Sequence, residues 1–456
     1  MNALRLSLEE VEVFERTVPF RIPFRFGVVT VEEAPQVFVR VRVGMSDGRS
    51  GQGATAELLA PKWFDKDPAL SHAQNFEQLH AAIRKAAPAY RKQGSATPFE
   101  LSRRGLQARL SEEGDEGEKP LVTGFGPAQL DKAILDAVCR LEGVSFFEAI
   151  RTNRLGIELP GRDSSVILAS WKPSSEIEAR HTVGGVDPIR GAGTRARDGL
   201  PETLTEVLDA YGNRYFKIKV GAGASADRER LIEIASVLDE RGRYFVTLDG
   251  NEQLADVAAV EDLLETLETE PRLRRLREAV LYLEQPFPRD RALSIDVSRI
   301  SARIPVIIDE SDDRPDAFER AIALGYRGTS SKSCKGLYKS IVNAVKCREA
   351  GSQYFLSGED LTTQPGLAIQ QDLALASVLG LRQVERNGHH YVGGFGVAPE
   401  DEAQRFLAAH PDLYEERGGV RLRIREGRLS IGSLDVPGFA SGAWPDFDSM
   451  VRVGTY

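Results

Sequence analysis

The chain has 456 residues with a formal net charge of −9, and its hydrophobic and charged contents of 41% and 28% are ordinary for a large globular protein. No stretch approaches the roughly 20 apolar residues of a bilayer span, "MNALRLSLEEVEVF" has no apolar leader core, and the acidic balance excludes a general nucleic-acid binder. Cys139, Cys334 and Cys347 have neither metal-ligand nor disulfide-framework spacing, so the sequence reads as cytoplasmic, with neither membrane nor nucleic acid as a partner.

In chain order, "VEVFERTVPF" and "QVFVRVRVG" alternate, with Val37, Val39, Val41 and Val43 on one face and Phe38, Arg40 and Arg42 on the other. That period predicts antiparallel strands, with "RIPFRFGVVTVEE" as the loop between them. A second loop is predicted at "GATAELLAPKWFDKDP"; it is proline-broken yet apolar, with Trp63 and Phe64 near its tip, and should pack on something. "GPAQLDKAILDAVCRLEG" has a helical period that puts Leu130, Ile134, Ala137 and Leu141 on one side, and the acidic "SEEGDEGEKP" before it reads as an exposed loop. From about residue 177, short apolar strands alternate with amphipathic helices: "IEARHTVG", "YFKIKV", "YFVTLD", "VLYLE", "IPVIID", "YRGTSSK", "QYFLSG" and "LRQVERNG". Eight such units in roughly 220 residues predict a (β/α)8 barrel, whose usual size is about 250 residues, with a doubly wound open sheet as the alternative. "GVRLRIREGRLSIGS", beyond residue 400, reads as a hairpin packed back on the N-terminal domain. "GAGASA" matches a dinucleotide turn only loosely and reads as an ordinary βα loop.

Carboxylates recur where strands end. Asp249 closes "YFVTLD", Glu284 closes "VLYLE" and Asp309 closes "IPVIID", and in a barrel such ends meet at one mouth. Three carboxylates there repel one another unless a hard divalent cation with oxygen ligands joins them, which implies Mg2+, with Mn2+ as a substitute. Lys217 and Lys219 share one face of "YFKIKV", and "TSSKSCKG" sets a further lysine after Asp309, Lys332 or Lys335, between which alternation does not choose. A lysine acts as a base only when its pKa falls from about 10.4 toward about 7 to 8, and a second ammonium two residues away with Mg2+ nearby pushes it that way.

This combination of "KIK", "LDGNE", "EQP", "DES" and the later lysine resembles the enolase superfamily, within its mandelate racemase/muconate lactonizing enzyme group the muconate lactonizing enzyme subgroup. The helix "GFGPAQLDKAILDA" and the late "DVPGF" fit the same resemblance. It implies a modified TIM barrel under an α+β capping domain built from both termini: residues 1–165 as cap, 166–398 as barrel and 399–456 returning to the cap. It implies Asp249, Glu284 and Asp309 as metal ligands, Lys217, Lys219 and Lys332 as catalytic lysines, and Asn251 and Glu310 as groups that orient them. The implied reaction is removal of the proton α to a carboxylate of a small organic acid through an enediolate, giving racemisation, epimerisation or cycloisomerisation, or else β-elimination by a lyase. Phe24, Phe26, Trp63 and Phe64 from the cap, with His181, Glu359 and Asp360 from the barrel, are the candidate substrate contacts, although His181 also suits an interior position and the carboxylates suit helix caps or salt-bridge partners. Of His389 and His390, at least one should be a solvated loop residue. The His and Asp dyad of the mandelate racemase subgroup is missing at "LSGED", and the D-x-D of dipeptide epimerases is replaced in "VERNGHHY", so the substrate is not named. A homo-oligomer is the family's usual state. The rival classes are a Schiff-base aldolase, against which the carboxylate trio argues, and a non-catalytic structural or binding protein on the same fold, against which the intact lysines and ligands argue.

Overall fold

The alternating N-terminal segments form β1 (Leu6–Phe26), β2 (Val29–Met45) and β3 (Ser50–Leu58), which join the chain's last strand, β15 (Val451–Thr455), in an antiparallel sheet of order β15-β1-β2-β3. The computed structural model describes residues 4–26, 29–116, 118–159, 161–191, 196 and 198–456, without the side chains of Phe26 and of residues 113–116. The described residues of the first predicted loop are strand, with residues 27–28 outside the described ones, whereas the second is strand only over residues 53–58 and a loop beyond them. Pairing of β1 with β2 runs on to Phe24↔Val31 and Phe26↔Val29, because Phe24 and Val31 are cross-strand partners that both find burial. A register shift between Pro19 and Phe24 bends this arm, and Phe20 bridges to Val392 of the barrel. Residues 53–58 belong to β3, whose Ala54, Ala56 and Leu58 are buried. Gly53 is required where β3 crosses the next layer: a Cβ there would lie 2.1 Å from the Ala137 backbone nitrogen.

That layer is helical: α1 (His72–Arg91), α2 (Pro98–Glu116) and α3 (Pro120–Glu142). The predicted exposed loop at residues 111–120 is in large part the end of α2, where buried Arg109 pairs with Glu112 and Glu118 and so balances the acidic run. The predicted one-sided stripe on α3 is also too narrow. α3 is buried on nearly every side, between the sheet, the other helices and the barrel, and its polar residues are paired. Lys132 contacts Glu57 at 3.0 Å, Asp131 accepts from Tyr90 and Ser102, and Asp136 accepts from the Ala54 and Phe439 amides.

The eight predicted barrel strands all form: β4 (Glu176–Val183), β5 (Tyr215–Lys219), β6 (Phe245–Asp249), β7 (Val280–Glu284), β8 (Val306–Ile308), β9 (Gly328–Ser331), β10 (Phe355–Gly358) and β11 (Gln383–Arg386). They pair in sequence order in parallel, and β11 closes on β4, so the structure is a (β/α)8-type barrel with an antiparallel cap sheet, and the open-sheet alternative fails. After "KIKV", the Gly221 and Ala222 amides are taken by Asp227 at 2.9 and 3.1 Å, so this loop caps its own helix. The predicted C-terminal hairpin on the cap does not form. β13 (Val420–Leu422) pairs with β12 (Tyr414–Glu416), and β14 (Arg428–Ser430) pairs antiparallel with β4, because the barrel's first strand leaves residues 176–178 with an open edge. It is β15 that reaches the cap, pairing Thr455 with Glu12. Among the described residues, no helix is long and apolar enough to cross a membrane.

Candidate active site

Alternation sends Ile218 outward into the hydrophobic layer and turns Lys217 and Lys219 into the barrel. Lys217 is 2% exposed and its Nζ touches four carboxylates: Glu359 at 2.8 Å, Glu284 at 2.9 Å, and Asp249 and Glu385 at 3.0 Å. Lys219 contacts Asp249 at 2.7 Å. Across the barrel, Lys332 holds Asp309 at 2.5 Å, and Lys335 approaches the same carboxylate at 3.3 Å while donating to Ser330 Oγ at 2.7 Å. Both lysines that the sequence left open therefore reach Asp309. Gln285 fixes this aspartate's backbone, its Oε1 accepting from the Asp309 and Ser311 amides at 2.8 and 3.1 Å. Asn251, Glu252 and Gln285 all have positive φ, at 42°, 67° and 34°. For non-glycine residues this costs about 1 to 3 kcal/mol each, and the strain is concentrated just past Asp249 and Glu284.

Asp249, Glu284 and Asp309 end three adjacent strands, with Asp249 and Glu284 in direct register. Among the described residues, no three His, Cys, Asp or Glu side chains are set as a preformed metal cage, because these carboxylates are turned onto lysines. The donor set nonetheless fits a hard cation: it is all oxygen, and Glu284 Oε2 is buried without a hydrogen bond although it lies 2.9 Å from Lys217. Burial and the neighbouring Asp249 and Glu359 push the Glu284 carboxyl well above its ordinary range. Burial alone would lower Lys217 and Lys332, but the surrounding carboxylates outweigh it, Asp249 first for Lys217 and Asp309 for Lys332, and hold both ammonium groups above their ordinary value. In this charge arrangement neither has the lowered pKa that a base needs.

The cap covers this floor. Phe20, Phe24, Val31, Leu58, Pro61 and Trp63 line the cavity above Lys219, Asp249, Asp309 and Lys332, and the Trp63 ring lies over the Lys332 ammonium, 4.2 Å from its centroid. Arg289 ties this lid down: it donates to the Trp63 and Phe64 carbonyls at 2.9 and 3.1 Å and forks onto Glu252. Lys66 reaches the Asn251 carbonyl at 3.0 Å and pairs with Glu252.

The remaining candidates divide. Phe24 and Trp63 line the cavity, Phe64 packs instead on Phe125 in the cap, and the side chain of Phe26 lies outside the described residues. Asn251 lines it with an unpaired Oδ1. Glu310 does not line it; its carboxyl lies 3.9 Å from Lys66, accepts no hydrogen bond, and is pushed up to about 7 by burial, Glu252 and Asp309. Asp360 lines the cavity, whereas Glu359 lies deeper, holding Lys217, Arg180 and Tyr282. His181 is not a cavity residue: Arg180 and Thr182 take the inward positions of β4, and His181 packs on His389 and His390. Sequence reasoning missed Glu385, Asn387, Leu361, Thr362 and Gln285. The two-residue spacing of Glu385 and Asn387 at the end of β11 was the available signal, since both line the cavity.

The expected solvated histidine is absent among these residues, because His389 and His390 are 9% and 2% exposed. Burial lowers His181 to about 3, and burial with neighbouring positive groups lowers His389 and His390 well below the ordinary value. Unfolded histidines gain protons below about pH 6.5 while these stay neutral, so their contribution to stability is present above that pH and is lost as pH falls toward the folded values, at about 1.4 kcal/mol per unit for each group. Urea midpoints between pH 7 and 5 should therefore drop less steeply for His389→Gln than for the wild type. Parallel curves would show that the histidines titrate normally.

The model of the enolase C-terminal domain-like family matches residues 200–427, half of the chain. No curated protein matches the sequence. Among solved structures, an enolase from Bradyrhizobium complexed with magnesium and mandelic acid has 17% identity and a TM-score of 0.61 over 100% of both chains. A dipeptide epimerase from Cytophaga hutchinsonii complexed with Mg and D-Ala-L-Val has 15% identity and a TM-score of 0.59, covering 98% of this chain and 99% of its own. A mandelate racemase/muconate lactonizing enzyme from Roseovarius nubinhibens ISM has 18% identity and a TM-score of 0.61, covering 99% and 98%. At these identities the likeness is one of fold.

Proposed function

Since the chain belongs to the enolase C-terminal domain-like family, we propose that it is a Mg2+-dependent isomerase or lyase that removes the proton α to the carboxylate of a small organic acid. The observation that carries this reading is the meeting of Asp249, Glu284 and Asp309 at one barrel mouth, with Lys219 and Lys332 on opposite sides of it. Asp249, Glu284 and Asp309 would hold the metal, and Asn251 and Glu310 would support them. When bound, Mg2+ supplies a Lewis acid that stabilises the second negative charge of the enediolate. The lysines supply the proton transfers. A carboxylate engaged elsewhere no longer holds its lysine protonated, and Lys217 then disfavours charge on Lys332. Two lysines facing each other suit racemisation or epimerisation, one removing the proton and the other returning it. The neighbouring epimerase and the mandelic acid complex support that arm over elimination, which shares the first half of the reaction. Trp63 and the arm bearing Phe24 exclude water while the carbanionic species exists.

Two measurements test this. Calorimetry should find one Mg2+ site, replaceable by Mn2+, in the wild type and none in Asp249→Asn or Asp309→Asn. In D2O with Mg2+, at least one member of a carboxylate library should gain a mass unit at its α-carbon. No divalent binding together with no exchange would sink the proposal.

A further inference from the structure

We infer that Arg289 and Glu252 are positioning residues that seat Trp63 on the Lys332 ammonium and fasten that seat to the strand ends bearing the candidate metal ligands. The effect on proton transfer rests on the enediolate reading; the seating itself does not. Local geometry does not favour the position of Trp63. It lies in a turn, and the residue before it, Lys62, has a φ of 62°, a conformation that non-glycine residues seldom adopt. Its side chain is nevertheless well ordered by its surroundings: Trp63 is 4% exposed, its ring centroid is 4.2 Å from Lys332 Nζ, and it meets Phe64 edge to face at 4.8 Å. The barrel supplies what the turn lacks.

Arg289 donates from Nη2 to the Trp63 carbonyl at 2.9 Å and from Nη1 to the Phe64 carbonyl at 3.1 Å, while Nε and Nη2 fork onto Glu252 at 2.9 and 2.8 Å. One rigid plane that holds two consecutive carbonyls fixes the backbone from which the indole projects. Glu252 is held in turn. Its carboxylate also takes the Arg289 amide at 2.7 Å and pairs with Lys66, and its own amide donates to the Gln285 carbonyl at 2.9 Å. Glu252 stands three residues past Asp249, Gln285 directly follows Glu284, and the Gln285 side chain accepts the Asp309 amide at 2.8 Å. The clamp is therefore built on the same three strand ends as the carboxylates. The other part of the roof is anchored elsewhere, because Arg21 ties the arm bearing Phe20 and Phe24 to Asp198 and to the Pro201 and His390 carbonyls, which follow β4 and β11. Loosening Arg289 should move Trp63 and leave that arm in place. The indole face steadies the Lys332 ammonium and keeps water from one side of it, so a ring free to leave costs the lysine its aim.

The test reads the ring and the chemistry separately. The chain has three tryptophans, so the Trp63 signal is isolated as the difference between each protein and its Trp63→Phe counterpart. Arg289→Lys keeps a positive charge beside Glu252 but cannot hold two carbonyls and a carboxylate at once, and Glu252→Gln is the second variant should the first not fold. Acrylamide quenching of Trp63 should rise at least about 3-fold in either variant, with the far-UV circular dichroism unchanged. With an acid that the wild type deuterates in D2O and Mg2+, either variant should slow exchange on the face served by Lys332 by about 10 to 100-fold. Neither should add to the loss caused by Trp63→Leu, because both act through that ring. Unchanged quenching would overturn the inference whatever the kinetics. Raised quenching with losses that add to those of Trp63→Leu would overturn the step from Trp63 to Lys332 and place the effect on Asp249 instead. Raised quenching with no exchange from any acid by the wild type would support the seating of Trp63 and overturn the enediolate reading.

Discussion

Lys332→Ala and Lys219→Ala will each lower turnover of a validated substrate by about a thousandfold or more, because in the proposed reaction each removes a proton carrier from one face of the acid. The two variants should then part in D2O. For a racemase or epimerase, each single variant still exchanges the α-proton of one stereoisomer and loses net inversion. For a one-base lyase or cycloisomerase, one variant loses all exchange and the other keeps a reduced rate. The ion pairs add a second signature. In the wild type an entering cation has to displace the Lys332 ammonium, 2.5 Å from Asp309 and raised above its ordinary pKa chiefly by that carboxylate. Lys332→Ala removes this competitor, so calorimetry should find Mg2+ bound more tightly by the variant, even as turnover collapses. Wild-type turnover in both variants would make these lysines structural, and weaker Mg2+ binding in Lys332→Ala would show that Asp309 is not contested in solution.

The barrel was legible because its strands repeat one local rule, a short apolar run closed by a polar residue, and β5 through β8 follow it closely enough to bring Asp249, Glu284 and Asp309 to one rim. The N-terminal arm broke the rule. "RIPFRFGVVTVEE" contains proline and glycine where strands seldom do, and the pairing of Phe24 with Val31 and the anchor of Phe20 on Val392 explain the extended form of its described residues. Those are tertiary facts. His181 was ambiguous for a related reason: parity put it with Ile177 and Ala179, but which face of a barrel strand holds the cavity depends on where Arg180 and Thr182 find partners. The deepest miss was electrostatic. Two lysines one strand-period apart suggested a pair that repel and lower each other's pKa, yet Lys217 is enclosed by carboxylates from four other strand ends, two of which, Glu359 and Glu385, had no visible connection to it in the sequence.

That enclosure makes Lys217 the residue whose loss should do most damage to the fold. Lys217→Met keeps the length of the side chain and removes its charge, leaving Asp249, Glu284, Glu359 and Glu385 around an apolar group in a cavity where all four are at most 2% exposed. Breaking a buried ion cluster in this way costs about 3 to 5 kcal/mol, enough to consume much of a typical domain's stability. The pH dependence identifies the cause. Without the ammonium, the carboxylates have folded pKa values above their unfolded ones, near 4, so the folded state binds more protons than the unfolded state and stability falls as pH rises through the folded values. Urea midpoints should therefore separate variant from wild type widely at pH 8 and narrowly at pH 5. The wild-type ammonium obeys the same sign in a different window: with a folded pKa raised above its unfolded value of about 10.4, its contribution is fully present below that pH and is lost only in strong alkali. Adding Mg2+ at pH 8 should restore part of the variant's stability, because a divalent cation on Asp249 and Glu284 supplies the positive charge that Lys217 no longer does. An equal loss at pH 5 and pH 8, with no response to Mg2+, would mean that Lys217 matters for its packed hydrocarbon stem and not for the charge at its end.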